Sequence, residues 1–192
     1  LFMNIGMFGH ILVMWFSKAG VKVEGLFYGA PQYDIPALLA FLTTIITTVN
    51  FVVSVEVNFY GKYKNHYSLY NDKGTIRDIK QAEKEMLETL KTEMLYTAIK
   101  QLLCTAFFIA AGGFILDVLP LGLNEMTRGY FRTLCVGYGL YAVANMTTLI
   151  LFYFTDYKGA FMSTGVFALS SVGCTILFLL FPQVYYGFGF II

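Results

Sequence analysis

The sequence predicts an all-α fold, a polytopic bundle of about five transmembrane helices with one long cytoplasmic helix. Residues 37–59 run for twenty-three positions with one charged side chain, Glu56. Apolar residues make up 57% of the chain and charged residues 13%, whereas soluble domains carry about 25% charge. A bilayer core about 30 Å thick needs about 20 apolar residues per helix, and hydrocarbon excludes open strands.

Five apolar segments mark the predicted spans: 1–16, 36–60, 94–119, 130–154 and 160–181. The first is interpreted as truncated, because the chain begins inside an apolar run, and the sequence reads as a piece of a longer protein. Spans one and two are expected in 1–60, a loop and an amphipathic helix in 61–93, spans three to five in 94–184, and the start of a further span in 185–192.

Two connections contain helix-breaking residues. Pro36 suits the first turn of the second span, because proline is tolerated where a helix begins. After the third span, Pro120, Gly122 and Asn124 indicate a short turn.

The connection 61–93 is polar and long enough to stand clear of the membrane. Thr75 and Asp78 fit a helix cap, so an amphipathic helix is expected to begin at Ile76 and to run into the third span. Four apolar side chains recur on one face of it: Ile79, Met86, Leu87 and Leu90. That face is either a solvated extension of a membrane helix or a docking face for a cytoplasmic partner, since an apolar stripe outside the membrane needs a cover.

The distribution of lysine and arginine predicts the orientation. Nine of the thirteen, namely eight in 62–100 and Lys158, fall on one side of the membrane. The other four fall on the opposite side: Lys18, Lys22, Arg128 and Arg132. Because cytoplasmic flanks hold the excess of basic residues, the connection 61–93 is predicted to be cytoplasmic.

The second span carries a polar stripe, whose members follow at steps of three and four and so share one helix face: Thr43, Thr47, Asn50, Ser54 and Asn58. Polar groups are costly toward lipid and must face other helices or water. If these side chains serve only to form hydrogen bonds between helices, the stripe has a structural role and no part in transport. As a complete stripe with Glu56 nearby, it is a candidate substrate path.

The fourth span carries a second polar line, formed by Tyr138, Tyr141, Asn145 and Thr148. Aromatic hydroxyls beside an amide suit contacts with sugars, and they equally suit a tightly packed bundle. For Tyr138 and Tyr141, packing is the better interpretation of either residue alone.

The sequence contains no residue pattern typical of catalysis, metal binding or nucleic-acid binding. His10 has no second histidine or acidic neighbour at ligand spacing, and no phosphate-binding glycine loop or nucleophile with its base is present. The three cysteines lie in apolar runs and read as packing residues. Six acids in 72–93 interleave with the loop cations, which argues against nucleic acid as a partner. The sequence therefore predicts no enzyme activity, no metal and no cofactor.

Two segments resemble the PelG family, the membrane transporter subunits of Pel exopolysaccharide export. They run from YGKY at 60–63 through QAEKEML at 81–87, and from LCVGYGLYA at 134–142 through Tyr153 and Phe154. The resemblance implies about twelve spans in the MATE-like flippase superfamily, in a bacterial cytoplasmic membrane. It implies export of the Pel polysaccharide while a cytoplasmic glycosyltransferase polymerises it, with further Pel membrane subunits as partners, one of which senses cyclic di-GMP.

Three functions are therefore carried forward. The first is a transporter that moves an exopolysaccharide in concert with the glycosyltransferase. The second is a non-transporting scaffold that recruits or activates the glycosyltransferase through the helix 76–93. The third, a small-molecule exchanger of the same superfamily, ranks lowest, because it calls for titratable groups deep in the membrane and Glu56 lies near the cytoplasmic end.

Overall fold

A computed structural model of the chain describes residues 1–71, 74–118 and 124–192. Its helices are α1 (Phe2–Trp15), α2 (Pro31–Ser54), α3 (Tyr60–Asn71), α4 (Ile76–Val118), α5 (Glu125–Tyr153) and α6 (Tyr157–Phe178). A π-helical segment (Val55–Phe59) joins α2 to α3, and a 3₁₀ segment (Gln183–Phe190) follows α6. Two strands, β1 (Val21–Glu24) and β2 (Phe27–Gly29), lie between α1 and α2.

The fold is all-α, as predicted, and four of its helical stretches are long and apolar enough to cross a membrane: Pro31–Asn71, Ile76–Val118, Glu125–Tyr153 and Tyr157–Phe178. The helix α1 is shorter, at 14 residues. The helix α4 has 43 residues and is about 65 Å long at 1.5 Å per residue, roughly twice the hydrocarbon thickness. It begins at Ile76, as expected from the cap, where the Thr75 hydroxyl accepts a hydrogen bond from the Asp78 amide at 3.2 Å.

The start of α2 differs from the expected one. The helix begins at Pro31, and Pro36 lies inside it instead of in its first turn. Asp34 explains the earlier start, because its carboxylate accepts hydrogen bonds from the Ala30 amide at 2.8 Å and from the Trp15 indole at 3.1 Å. An acidic side chain at this position satisfies a free amide and complements the helix dipole.

The residues after the second span are helical instead of forming a loop. From Pro31 the helix continues through the π segment and α3 to Asn71, and α3 then packs against the first part of α4. We call α3 and residues 76–93 of α4 the arm. The predicted turn residues Pro120 and Gly122 lie outside the described residues.

The connection between α1 and α2 is a β-hairpin that the sequence analysis did not predict. Val21 pairs with Gly29 and Lys22 with Tyr28 in antiparallel register, with an irregularity before Glu24. Gly25 sits in the turn with φ +58°, a conformation that glycine adopts without strain.

Two apolar clusters hold the helices together. One lies at the end of the bundle that carries the hairpin, and it is rich in buried aromatic residues such as Tyr33, Tyr130, Tyr138 and Phe190. The other lies toward the arm, where Phe51 and Phe59 pack with Met86, Leu90 and Met146. The 3₁₀ segment, in the region expected to start a further span, packs against α5 and α6 and buries Tyr186 and Phe190.

Candidate functional site

Three cavities open between the helices along one face of α5. A cavity of about 350 Å³ lies between α1, α5 and α6, and one of about 200 Å³ lies between α1, α2 and α5. A third, of about 110 Å³, lies between α5, α6 and the 3₁₀ segment. The helix α5 is common to all three, so its residues at these openings are the first candidates for contact with a substrate.

Tyr141 and Asn145 connect the three cavities. Tyr141 borders the cavities of about 110 and 200 Å³, and Asn145 borders those of about 200 and 350 Å³. The two residues stand one helical turn apart, so they face the same side of α5. The Tyr141 ring lies 5.8 Å from that of Phe167 on α6. The structure thus gathers a phenol, a phenyl ring and an amide at one level of the bundle.

Thr148, also on the polar line predicted for α5, borders the cavity of about 350 Å³. Further polar groups at these openings come from residues outside the predicted stripes. On α2 they are Thr44 and Thr48, which border the 200 Å³ cavity with Asn145. The hydroxyls of both threonines donate to carbonyls of their own helix, Thr44 to Phe41 at 2.8 Å and Thr48 to Thr44 at 2.9 Å. Such internally bonded hydroxyls still present a free lone pair to a ligand.

The predicted stripe on α2 divides between the interior and the surface of the bundle. Thr43 and Thr47 are buried, and the Thr43 hydroxyl donates to the Ala40 carbonyl at 2.7 Å. The thiol of Cys104, on α4, donates to the Thr43 carbonyl at 3.5 Å, which places this face against α4. Asn50 is exposed and donates to the Ile46 carbonyl of its own helix at 2.9 Å.

The end of that stripe nearest the arm is hydrogen-bonded to a carboxylate that was not among the predicted site residues. Glu93 of α4 accepts hydrogen bonds from the Ser54 hydroxyl and from the Asn58 amide, the latter at 2.9 Å. Ser54 immediately precedes the π segment, and Asn58 lies within it. A π-helical turn closes with i→i+5 hydrogen bonds and is therefore wider than an α-helical turn. Ser54 and Asn58 therefore fix the arm to the bundle in this structure.

Tyr138 lies in the interior, away from the cavities. Its hydroxyl is 3.2 Å from His10 Nε2, and the Tyr33 hydroxyl is 2.8 Å from His10 Nδ1. The imidazole stacks on Phe190 with ring centroids 4.0 Å apart. All three polar side chains are buried. His10, which the sequence shows without a partner nearby in the chain, thus joins α1 to α2 and α5.

The predicted docking residues divide between interior and surface. Met86 and Leu90 are buried against the apolar cluster beside the arm, and Ile79 is half-buried. Leu87 is 47% exposed and lies in a shallow groove of about 340 Å³ among charged side chains of α4. The apolar stripe of this helix is therefore covered largely by the chain itself, and Leu87 remains accessible to a partner.

Charges on the arm are paired at its surface. The Lys62 ammonium donates to the Glu85 carboxylate at 2.9 Å, and this hydrogen bond lowers the pKa of Glu85 below its ordinary value. Within residues 1–71, 74–118 and 124–192, no three His, Cys, Asp or Glu side chains are grouped as metal ligands.

Comparison with known proteins identifies the family. No curated protein and no solved structure matches the chain. The PelG family, which is described as a putative exopolysaccharide exporter (EPS-E), matches residues 1–192. The match covers every described helix, including the arm and all three cavities. The chain therefore belongs to the PelG family.

Proposed function

We propose that the chain forms part of a transporter that moves a Pel-type exopolysaccharide across the cytoplasmic membrane in concert with a cytoplasmic glycosyltransferase. The family name implies an exopolysaccharide as the exported substrate. The observation that carries the proposal is the position of Tyr141 and Asn145, each of which borders two of the three cavities along α5.

The chemistry at these cavities suits a sugar chain. Sugars present many hydroxyl groups, which need donors and acceptors, and flat C–H faces, which pack on aromatic rings. Asn145 offers both a donor and an acceptor, and Tyr141 and Phe167 offer aromatic faces. Ser170 and Ser171 add hydroxyls at the 110 Å³ cavity.

With the proposed orientation, the arm would lie on the same side of the membrane as the glycosyltransferase. The basic residues favour a cytoplasmic position for the arm, which is the side on which a glycosyltransferase would polymerise a nucleotide sugar. We further propose that the other Pel membrane subunits, including one that senses cyclic di-GMP, assemble around the same bundle.

A scaffold role is the second candidate, and the exposure of Leu87 favours it. Leu87 lies in its groove beside Lys80, Lys84 and Lys91. Glu83 and Glu88 line the same groove. An apolar side chain among charges of both signs suits a partner surface with an apolar pocket and a charged rim. A chain with this role would activate the glycosyltransferase without carrying its product.

Membrane vesicles separate the two functions. Vesicles from cells with or without the full-length protein receive labelled nucleotide sugar, and both total polymer and polymer delivered across the membrane are measured. Loss of delivery with synthesis intact is the result expected of the transporter. Loss of synthesis itself would instead identify the scaffold, and Leu87→Glu would then be the variant to compare with the parent protein.

A further inference from the structure

In the part of the chain that the structure describes, the β1–β2 hairpin leaves most of its apolar side chains exposed. Every residue of β1 is exposed, as are Phe27 and Tyr28 of β2. Leu26 at the turn is 93% exposed and Phe27 is 77% exposed. An isolated two-stranded hairpin is marginally stable in water, so a hairpin of this composition requires a cover.

The strand β1 is amphipathic. It reads Val-Lys-Val-Glu, and successive side chains of a strand point to opposite faces. Val21 and Lys22, which precede the irregularity at Glu24, therefore point to opposite faces. This pattern suits a hairpin that lies flat on an apolar surface, with its charges turned toward water.

The hairpin directly precedes a helix that is long and apolar enough to span a bilayer. β2 ends at Gly29, two residues before α2, a helix long enough to span the bilayer. Trp15, at the end of α1, lies at this end of the bundle and is only partly buried, and tryptophan is enriched at membrane interfaces. The hairpin is thus joined directly to a candidate membrane-spanning helix.

The charge at this position suits lipid headgroups. Lys18 and Lys22 are exposed, and neither forms an ion pair with an acidic side chain in the part of the chain that the structure describes. Glu24 is the exposed acid of the hairpin. Lysine side chains beside apolar groups can contact phosphates while the apolar groups enter the acyl boundary.

We propose that the β1–β2 hairpin is a membrane-anchoring element that lies in the bilayer interface. Leu26, Phe27 and the Val21 face enter the boundary between headgroups and acyl chains, and Lys18 and Lys22 contact lipid phosphates. This anchor fixes the connection between α1 and α2 at the membrane surface, and it does not depend on which substrate the bundle carries.

Fluorescence quenching of the full-length protein in nanodiscs tests the proposal. A single reporter cysteine, Leu26→Cys, carries an environment-sensitive fluorophore, and Lys64→Cys on the exposed surface of α3 is the matched control. The labelled parent protein supplies the background from native cysteines. We expect spin-labelled lipids to quench the Leu26 probe about twofold or more over the control, because an interfacial probe lies among lipids. Aqueous iodide is expected to quench the control more strongly.

Lipid composition supplies a second measurement. Anionic phosphatidylglycerol in place of phosphatidylcholine is expected to increase lipid quenching at position 26, and the double change Lys18→Gln and Lys22→Gln is expected to remove that increase. A Leu26 probe that iodide quenches like the Lys64 control would overturn the proposal. So would a probe protected from both iodide and lipid labels, since protein would then cover the hairpin.

Discussion

The hairpin end of the bundle and the arm are held together by different interactions. At the hairpin end, His10 lies in the interior between the hydroxyls of Tyr33 and Tyr138. In the arm, the pair between Lys62 and Glu85 is exposed to solvent. Buried polar groups have no water to replace a lost partner, whereas water screens the charges of an exposed ion pair and can replace either partner. Changes at the hairpin end should therefore destabilise the fold, and changes in the arm should loosen the arm alone.

Removing the imidazole of His10 tests whether the buried hydrogen bonds at the hairpin end stabilise the fold. His10→Phe keeps a ring that can stack on Phe190, but it leaves the hydroxyls of Tyr33 and Tyr138 without their partner. Each orphaned group costs about 1–3 kcal/mol, so we expect the largest loss of thermal stability here. Tyr138→Phe, the milder control, removes one hydroxyl and should cost less. Size-exclusion chromatography of heated samples in detergent measures both, and a His10→Phe protein as stable as the parent would contradict the account.

A glycine in the 3₁₀ segment tests the packing at the same end. A Cβ on Gly189 would lie 2.5 Å from the Thr175 Cα, and the backbone of α6 cannot yield as a flexible side chain would. We expect Gly189→Ala to cost about 1–3 kcal/mol, the usual range for overpacking.

The matched control for this change lies on the helix that Gly189 contacts. A Cβ on Gly165 of α6 would meet nothing within 4 Å, so Gly165→Ala should leave stability unchanged or slightly higher. Equal losses from the two variants, measured by the same heating series, would show that the 3₁₀ segment is not packed on α6 as described.

Glu93 tests the junction between bundle and arm. Glu93→Ala removes the acceptor for Ser54 and Asn58, and we expect a local loss of about 1–2 kcal/mol because these bonds involve a charged group near solvent. Hydrogen exchange should accelerate in residues 55–71 and stay unchanged at the hairpin end. Glu93→Gln keeps one acceptor oxygen and should give a smaller acceleration. Faster exchange throughout the protein would contradict the expectation that changes in the arm loosen the arm alone.

The smallest effect is expected from pH. The hydrogen bond from Lys62 holds the pKa of Glu85 below its ordinary value. This stabilisation of the arm is therefore present above the unfolded-state pKa of glutamate, and it is lost as pH falls through the lowered pKa of the folded state. Hydrogen exchange in α3, followed across acidic pH and corrected for the intrinsic rate, measures it. Lys62→Met should weaken this pH dependence, because only the hydrogen bond from Gln81 would then lower the pKa of Glu85. An unchanged profile in that variant would assign the dependence to another group.

Much of the fold could be predicted from the sequence because the bilayer imposes simple rules. Runs of apolar residues gave the membrane helices, and the cap at Thr75 marked the start of α4. The helix α3 was missed because its polar, aromatic composition resembles a loop. It packs against α4, and its Tyr63 ring lies beside Tyr153 and Phe154 at the end of α5. The hairpin was missed because its strands have four and three residues, too few for a clear alternating pattern.

The candidate site could be predicted only in part. Tyr141 and Asn145 stood out as polar residues in an apolar helix, and both border cavities in the structure. Thr44 and Thr48 did not stand out in the sequence. A helix turns 100° per residue, and the sequence does not show which face meets a cavity and which meets a neighbouring helix. The role of Glu93 depends on a contact with residues 39 and 35 positions away, which no local pattern contains.

The central claim is that the cavities along α5 carry the polysaccharide, and two asparagines test it most directly. Asn145 borders two cavities, whereas Asn50 is exposed and bonds to its own helix. In membrane vesicles fed with labelled nucleotide sugar, we expect Asn145→Leu to lower the ratio of delivered to total polymer several-fold, while Asn50→Leu leaves it unchanged. Delivery that survives Asn145→Leu but fails in Asn50→Leu would contradict the account and move the path to the other face of α2.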